Sequence, residues 1–211
     1  MSVSLVRPDS DSSASTPPNC DAMKAEDLRE FIREIPDYPK PGILYRDITP
    51  LLACSEALAL ATELMAEPFL DSGIEVIAAA EARGFIFAAP LAMRLKAGFV
   101  PIRKPGKLPY ELRSFKYDLE YGRDELQIHI DSIRPGQRVL LVDDLLATGG
   151  TMAACCRLLE QSDAEIVGCS FLIHLAALGG EERLNPYHSR AVLRYEGDDM
   201  EDELGMQNQM Q

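Results

Sequence analysis

Two adjacent carboxylates, Asp143 and Asp144, stand just before a run of small and hydroxyl residues, Ala147-Thr148-Gly149-Gly150-Thr151. The two parts suit different halves of one ligand. Glycines let a backbone close around a phosphate, and amides at a helix start point their N–H groups at it. The hydroxyls of Thr148 and Thr151 add donors. The aspartates would repel that phosphate, so they must serve neighbouring hydroxyls. A sugar diol carrying a phosphate satisfies both, which makes this a ribose 5-phosphate pattern. A lone Asp-Asp or Gly-Gly would be an ordinary turn; it is the order across Val139–Thr151, VLLVDDLLATGGT, that carries the reading.

The flanking residues supply the elements that position it. Val139–Val142 is a short unbroken apolar run after the turn signal Pro135-Gly136 and reads as a strand buried on both faces, with the acids where it ends. Met152, Leu158 and Leu159 begin a helical apolar face. A second unit repeats the order: strand Val76–Ala80, loop Glu81-Ala82-Arg83-Gly84, then a helix over Phe85–Leu95 expected to break or bend at Pro90. Arg83 beside Gly84 can offer an anion a bidentate fork, although alone it would pass for a surface arginine in a βα turn. A third strand, Phe99–Ile102, runs into Arg103, Lys104 and Lys107, which fit a basic turn or a clamp for a second anionic group. No P-loop and no G-x-G-x-x-G pattern is present.

Helices alternating with buried strands predict an α/β fold with a mostly parallel central sheet flanked by helices. A first helix is expected over Met23–Ile35, from the spacing of Leu28, Phe31, Ile32 and Ile35. Residues 36–42 are broken by Pro36, Pro39, Pro41 and Gly42, Ile43–Asp47 is extended, and Thr49-Pro50 is a turn. Ser55 is the expected cap of a further helix. Residues 108–124 lack an amphipathic period and read as a long loop of the kind that forms lids, carrying Glu120 and Tyr121. Strands follow at Glu125–Ile130, with Gln127 and His129 on a polar face, at Ile166–Ile173 and at Arg190–Tyr195. His129, His174 and His188 have no metal-ligand spacing and read as structural.

At 211 residues the chain can hold one sizeable core. Its net charge of −13 argues against a nucleic-acid partner, and no apolar stretch is long enough for a membrane helix. Residues 1–21 read as a disordered lead-in and no secretory signal. Residues 196–211, with six acids between Glu196 and Glu203, read as a solvated tail. Residues 22–195 form the domain between them. Five unpatterned cysteines fit reduced thiols in a cytoplasm. A protein this acidic needs local bases and a divalent cation to hold a polyanion.

The segment VLLVDDLLATGGT resembles the phosphoribosyl-pyrophosphate (PRPP) motif of the type I phosphoribosyltransferases, in wording closest to members that use adenine. EARGF resembles their pyrophosphate loop, DYPKPGILYRDIT their purine-binding stretch and KYDLEYG their mobile loop. The resemblance spans roughly residues 22–195 and implies that family's fold, with a small N-terminal hood. It further implies transfer of the phosphoribosyl group of PRPP to adenine in purine salvage, giving AMP and pyrophosphate, with Mg²⁺ held by substrate and water near Asp143 and Asp144 rather than by direct protein ligands. Under it, Asp143, Asp144 and Ala147–Thr151 bind the ribose and 5′-phosphate, while Arg83, Gly84, Arg103, Lys104 and Lys107 take the pyrophosphate. Leu44 and Arg46 meet adenine through their backbone, Tyr45 packs on its ring, and Glu120 and Arg83 are the catalytic candidates. The family also implies a homodimer. Ala79, where relatives commonly carry glycine, is a departure expected to crowd the loop slightly. The same chemistry on xanthine, hypoxanthine, guanine or orotate is the nearest rival, and a PRPP-sensing regulator without catalysis is another.

Overall fold

Strand β7, Arg138–Leu146, is the middle of a five-stranded, wholly parallel sheet in the order β4-β3-β7-β8-β9 in this computed structural model, which describes residues 23–119 and 122–197. The other members are β3, Val76–Ala80; β4, Gly98–Ile102; β8, Glu165–Leu175; and β9, Ser189–Tyr195. Alternate residues of the central strands enter two separate cores. Ile77, Ala79, Leu140 and Val142 face one, while Val76, Ala78, Ala80, Val139 and Leu141 face the other. That burial on both faces is why these strands read as continuous apolar runs.

Helices cover the two faces. The first core receives α2, Ser55–Ala66, and α3, Gly84–Leu95, through residues such as Ala61, Met65, Phe87 and Leu91. The second receives α4, Gly150–Glu160, through Met152, Cys155, Cys156, Leu158 and Leu159. Chain order makes a topological switch. The connection from β3 passes over one face through α3 to β4, whereas β7, on the other side of β3, continues into α4 on the opposite face. The loops leaving β3 and β7 therefore part, and open α/β sheets bind their ligands in the crevice so formed.

Several expectations are corrected. Residues 26–31 form only a 3₁₀ turn, and Arg33–Ile35 is a strand, β1, paired antiparallel with β2, Tyr45–Asp47. The helix periodicity is real for Leu28 and Phe31, but Pro36 disfavours helix before it, and pairing with β2 takes over. Thr49–Ala53 is a short helix, α1, rather than a turn, with Pro50 in the first turn, where no N–H is needed. Ser55 is the first residue of α2 and not its cap; its hydroxyl donates to Glu56 at 2.8 Å. Helix α3 continues through Pro90.

The stretch read as a loop is a hairpin. Strands β5, Leu112–Leu119, and β6, Gly122–His129, pair antiparallel from Leu112↔His129 to Leu119↔Gly122. The period was disguised, because the inward positions 113, 115 and 117 begin with an arginine, whose guanidinium reaches the Ser162 hydroxyl. Gln127 is buried rather than on a polar outer face: its backbone bridges Arg103, with N–H···O distances of 2.9 and 2.7 Å. The residues read as disordered ends, 1–21 and most of 196–211, lie outside the described residues, as do Glu120 and Tyr121. No helix among the described residues is long and apolar enough to cross a membrane.

Candidate functional site

Where β3 and β7 end, the sheet opens into a cleft of about 330 Å³. It is lined by the end of β3 with Glu81–Arg83, by Asp143–Leu146, by the turn Ala147–Gly149 and the start of α4, and by Lys104, Tyr117, Asp124 and Leu126.

The acids lie within β7 rather than after it. Pairing with β3 stops at Val142, but pairing with β8 continues through Asp143↔Phe171 to Leu146↔His174. Asp143 and Asp144 are therefore fixed on a strand yet released from one neighbour. The Asp144 amide donates to Asp143 Oδ1 at 2.9 Å. Burial raises the proton affinity of both carboxyls. At Asp143 repulsion from Asp144 adds to it, pushing the group up to about 8, while at Asp144 the Arg83 guanidinium opposes the rise. Asp144 Oδ2 lies 3.0 Å from Arg83 Nη2.

Gly84 explains how the second unit approaches. A β-carbon there would stand 2.9 Å from Asp143 Oδ1, 3.0 Å from the Val142 carbonyl and 3.3 Å from the Ala79 methyl. The start of α3 can rest on β7 only without a side chain. Ala79 is fully buried in that contact, so its methyl fills space which Gly84 leaves open. Arg83, at the N-cap of α3, also accepts no isolated surface role: its Nη1 donates to the Tyr45 hydroxyl at 2.6 Å.

The three predicted clamp bases are close by but already paired. Glu81, nearly buried, accepts from Arg103 Nε at 2.8 Å, from Lys107 Nζ at 3.0 Å and from the Lys104 amide at 2.9 Å. Burial alone would raise the Glu81 carboxyl, but the bonds from Lys107, the Lys104 amide and Arg103 outweigh it and leave it lowered. Lys104 Nζ pairs with Asp124 at 2.9 Å, and the bond lowers Asp124 while raising Lys104. The Tyr117 hydroxyl donates to Asp124 at 3.3 Å; burial raises that phenol, and a bond with Thr151 opposes the rise.

At the turn, Gly149 has φ +73° and precedes the first turn of α4, an eleven-residue helix. The amides of its first turn have no intrahelical acceptor. One cleft thus gathers Arg83, Lys104, Asp143, Asp144 and Ala147–Thr151. Gly84 supports it from behind, and Arg103 and Lys107 join it through Glu81. Leu44, Tyr45 and Arg46 are not among its lining residues; Tyr45 touches it through Arg83, and the buried Arg46 guanidinium stacks 3.9 Å from the Tyr195 ring centre. Glu81, Tyr117 and Asp124 were missed in the sequence, since nothing local to an isolated acid or tyrosine announces a base brought in from another strand. Among the described residues no cluster of three or more His, Cys, Asp or Glu is placed to hold a metal.

A strand-borne acid pair thus stands beside a glycine turn at a helix start, at a switch point of the kind where open α/β sheets bind their ligands. The sequence profile of the phosphoribosyl transferase domain matches residues 48–198. The chain belongs to this phosphoribosyltransferase family. The adenine phosphoribosyltransferase of Rhodopirellula baltica is 75% identical over 182 residues, spanning 86% of this chain and 88% of that protein. That of Methylococcus capsulatus is 54% identical over 168 residues, 80% of this chain and 98% of its own. The crystal structure of adenine phosphoribosyltransferase from Thermoanaerobacter pseudethanolicus superposes with a TM-score of 0.79 at 47% identity, covering 82% of this chain and all of that one. The Saccharomyces cerevisiae enzyme, complexed with an imino-altritol bisphosphate and adenine, superposes at 0.76 with 35% identity, covering 80% and 98%.

Proposed function

We propose that the protein transfers the 5-phosphoribosyl group of PRPP to adenine, releasing pyrophosphate and forming AMP. The observation that carries this reading is one cleft lined by the acid pair, the glycine turn, Lys104 and Arg83, with Arg83 3.0 Å from Asp144. The high identity to relatives named for this activity supports adenine as the base.

In this reading Asp143 and Asp144 hold the two ribose hydroxyls. Asp144, beside Arg83, accepts, and Asp143, whose carboxyl burial pushes up to about 8, can donate as well as accept. The turn Ala147–Thr151 holds the 5′-phosphate with its amides and hydroxyls. As the bond from the sugar's anomeric carbon to pyrophosphate breaks, charge grows on the leaving oxygens. Arg83, Arg103, Lys104 and Lys107 stabilise it, exchanging their carboxylate partners for phosphate oxygens. A ring nitrogen of adenine forms the new bond to that carbon and gives up its proton to Glu120. Adenine sits against Tyr45, its edge read by the backbone of Leu44 and Arg46. Mg²⁺, when bound, would sit near Asp143 and Asp144 and would supply charge neutralisation on the pyrophosphate. With no third acid, histidine or cysteine grouped beside them among the described residues, the two carboxyls fit indirect contact better than direct ligation.

Residues 22–195 act as the catalytic domain, with Tyr121 as a lid residue. The enzyme works as a homodimer in the cytoplasm. The test is pyrophosphate release from PRPP and Mg²⁺ with adenine, hypoxanthine, guanine and xanthine in parallel. Release with adenine is expected; release with another base alone, or with none, would overturn the assignment.

A further inference from the structure

The phosphate turn is pressed against the element that follows β8. A β-carbon on Gly149 would lie 2.7 Å from the Gly180 carbonyl oxygen. Gly180 has no room for one either, because it would collide with the Ala147 carbonyl and stand 2.9 Å from Leu146 Cδ1. Gly180 opens the short helix α5, Gly180–Leu184, which is anchored by the fully buried Leu184. The Tyr187 hydroxyl, just beyond it, donates to Glu160 at the end of α4. One turn after Gly180, Arg183 falls on the same side of α5. Its Nη1 lies 3.2 Å from the place a β-carbon on Gly150 would take.

Gly150 is the first residue of α4, so this guanidinium faces the positive end of a helix dipole. No carboxylate compensates it: among the described residues the Arg183 side chain makes no hydrogen bond or ion pair. Arg194, by contrast, engages both Glu181 and Glu196. In a chain of 34 acids and net charge −13, a cation braced against a helix start and left without an acid is placed for an anion between the two.

We propose that Arg183 binds the 5′-phosphate from outside the glycine turn, completing a site that the turn's amides hold from the other side. This rests on the reading of Ala147–Thr151 as the phosphate turn. Arg183 lies outside every motif in the sequence, and the position it approaches, Gly150, is on another element.

The test is calorimetric titration of the full-length protein and of Arg183→Ala and Arg183→Lys with AMP and with adenosine. Arg183→Ala should weaken AMP about tenfold and leave adenosine unchanged, with Arg183→Lys recovering part of the loss. An Ala variant that binds AMP as tightly as the parent, or that loses AMP and adenosine equally, would overturn the role of Arg183 while leaving the turn intact. A parent protein that binds AMP no better than adenosine would instead overturn the phosphate turn, and this proposal with it.

Discussion

The glycine turn and the ion-paired side chains of the cleft offer an anion two different kinds of donor. At the β7–α4 turn the donors are backbone amides, and their position is set by glycine contacts: Gly149 against Gly180, and Gly180 against Ala147. Elsewhere in the cleft the donors are side chains, and each is occupied. Arg83 is shared between Tyr45 and Asp144, Arg103 and Lys107 are held by Glu81, and Lys104 by Asp124. On the proposed reading the turn is set before ligand arrives, whereas the side chains exchange internal carboxylates for phosphate oxygens. A preorganised cradle suits the group that stays on the product, and an exchangeable set of partners suits the group that must leave.

That contrast can be broken by substitution. The largest effect is expected from Asp144→Asn, which removes the anion facing Arg83. It should cost about 3 kcal/mol of transition-state stabilisation, on the order of a hundredfold in kcat, with the fold retained by circular dichroism. Turnover at the parent rate would show that the acid pair is not where charge is handled. Next, Gly149→Ala forces a side chain into φ +73° and into the Gly180 carbonyl. Destabilisation by about 2–4 kcal/mol is expected by chemical denaturation, with weaker PRPP binding. An unchanged unfolding midpoint would mean the turn is soft, and the contrast drawn above would fail.

Asp143 gives a pH signature. Its carboxyl, ordinarily 3.8, is pushed up to about 8, so between those values the folded state holds a proton that the unfolded state lacks. Its contribution to stability is thus full at low pH and falls as pH rises toward 8. Asp143→Asn should remove this contribution, flattening the decline and raising the melting temperature of the ligand-free protein most at the alkaline end. A variant whose melting curve keeps the parent's pH dependence would contradict the raised carboxyl of Asp143. The smallest effect is expected from Tyr45→Phe, which deletes the 2.6 Å bond to Arg83 at about 1 kcal/mol. It should raise KM for PRPP several-fold with the turn untouched; a loss as large as that of Asp144→Asn would place Tyr45 in the chemistry itself.

The same division decided what could be read from the sequence. The turn was legible because backbone sites need glycines, small residues and a strand–helix frame in contiguous order, as in Val139–Thr151. Strand β3 was also legible, since burial on both faces leaves an unbroken apolar run. The ion-paired side chains were visible only as bases. Glu81 and Asp124 are brought to them by β3 and the hairpin, and such long-range partners leave no local pattern. Arg113 hid the alternation of β5 by putting a charged head at an inward position, where its stem is covered and its tip reaches Ser162. Arg183 was silent for the same reason, since Gly150, which it faces, belongs to another element.

The most direct measurement is a crystal structure of the protein with AMP bound. The phosphate is expected within hydrogen-bonding distance of the amides of residues 148–151, with the ribose hydroxyls on Asp143 and Asp144. A nucleotide whose phosphate lies instead among Arg83, Lys104 and Lys107, with the acid pair facing no sugar, would contradict the account at its base.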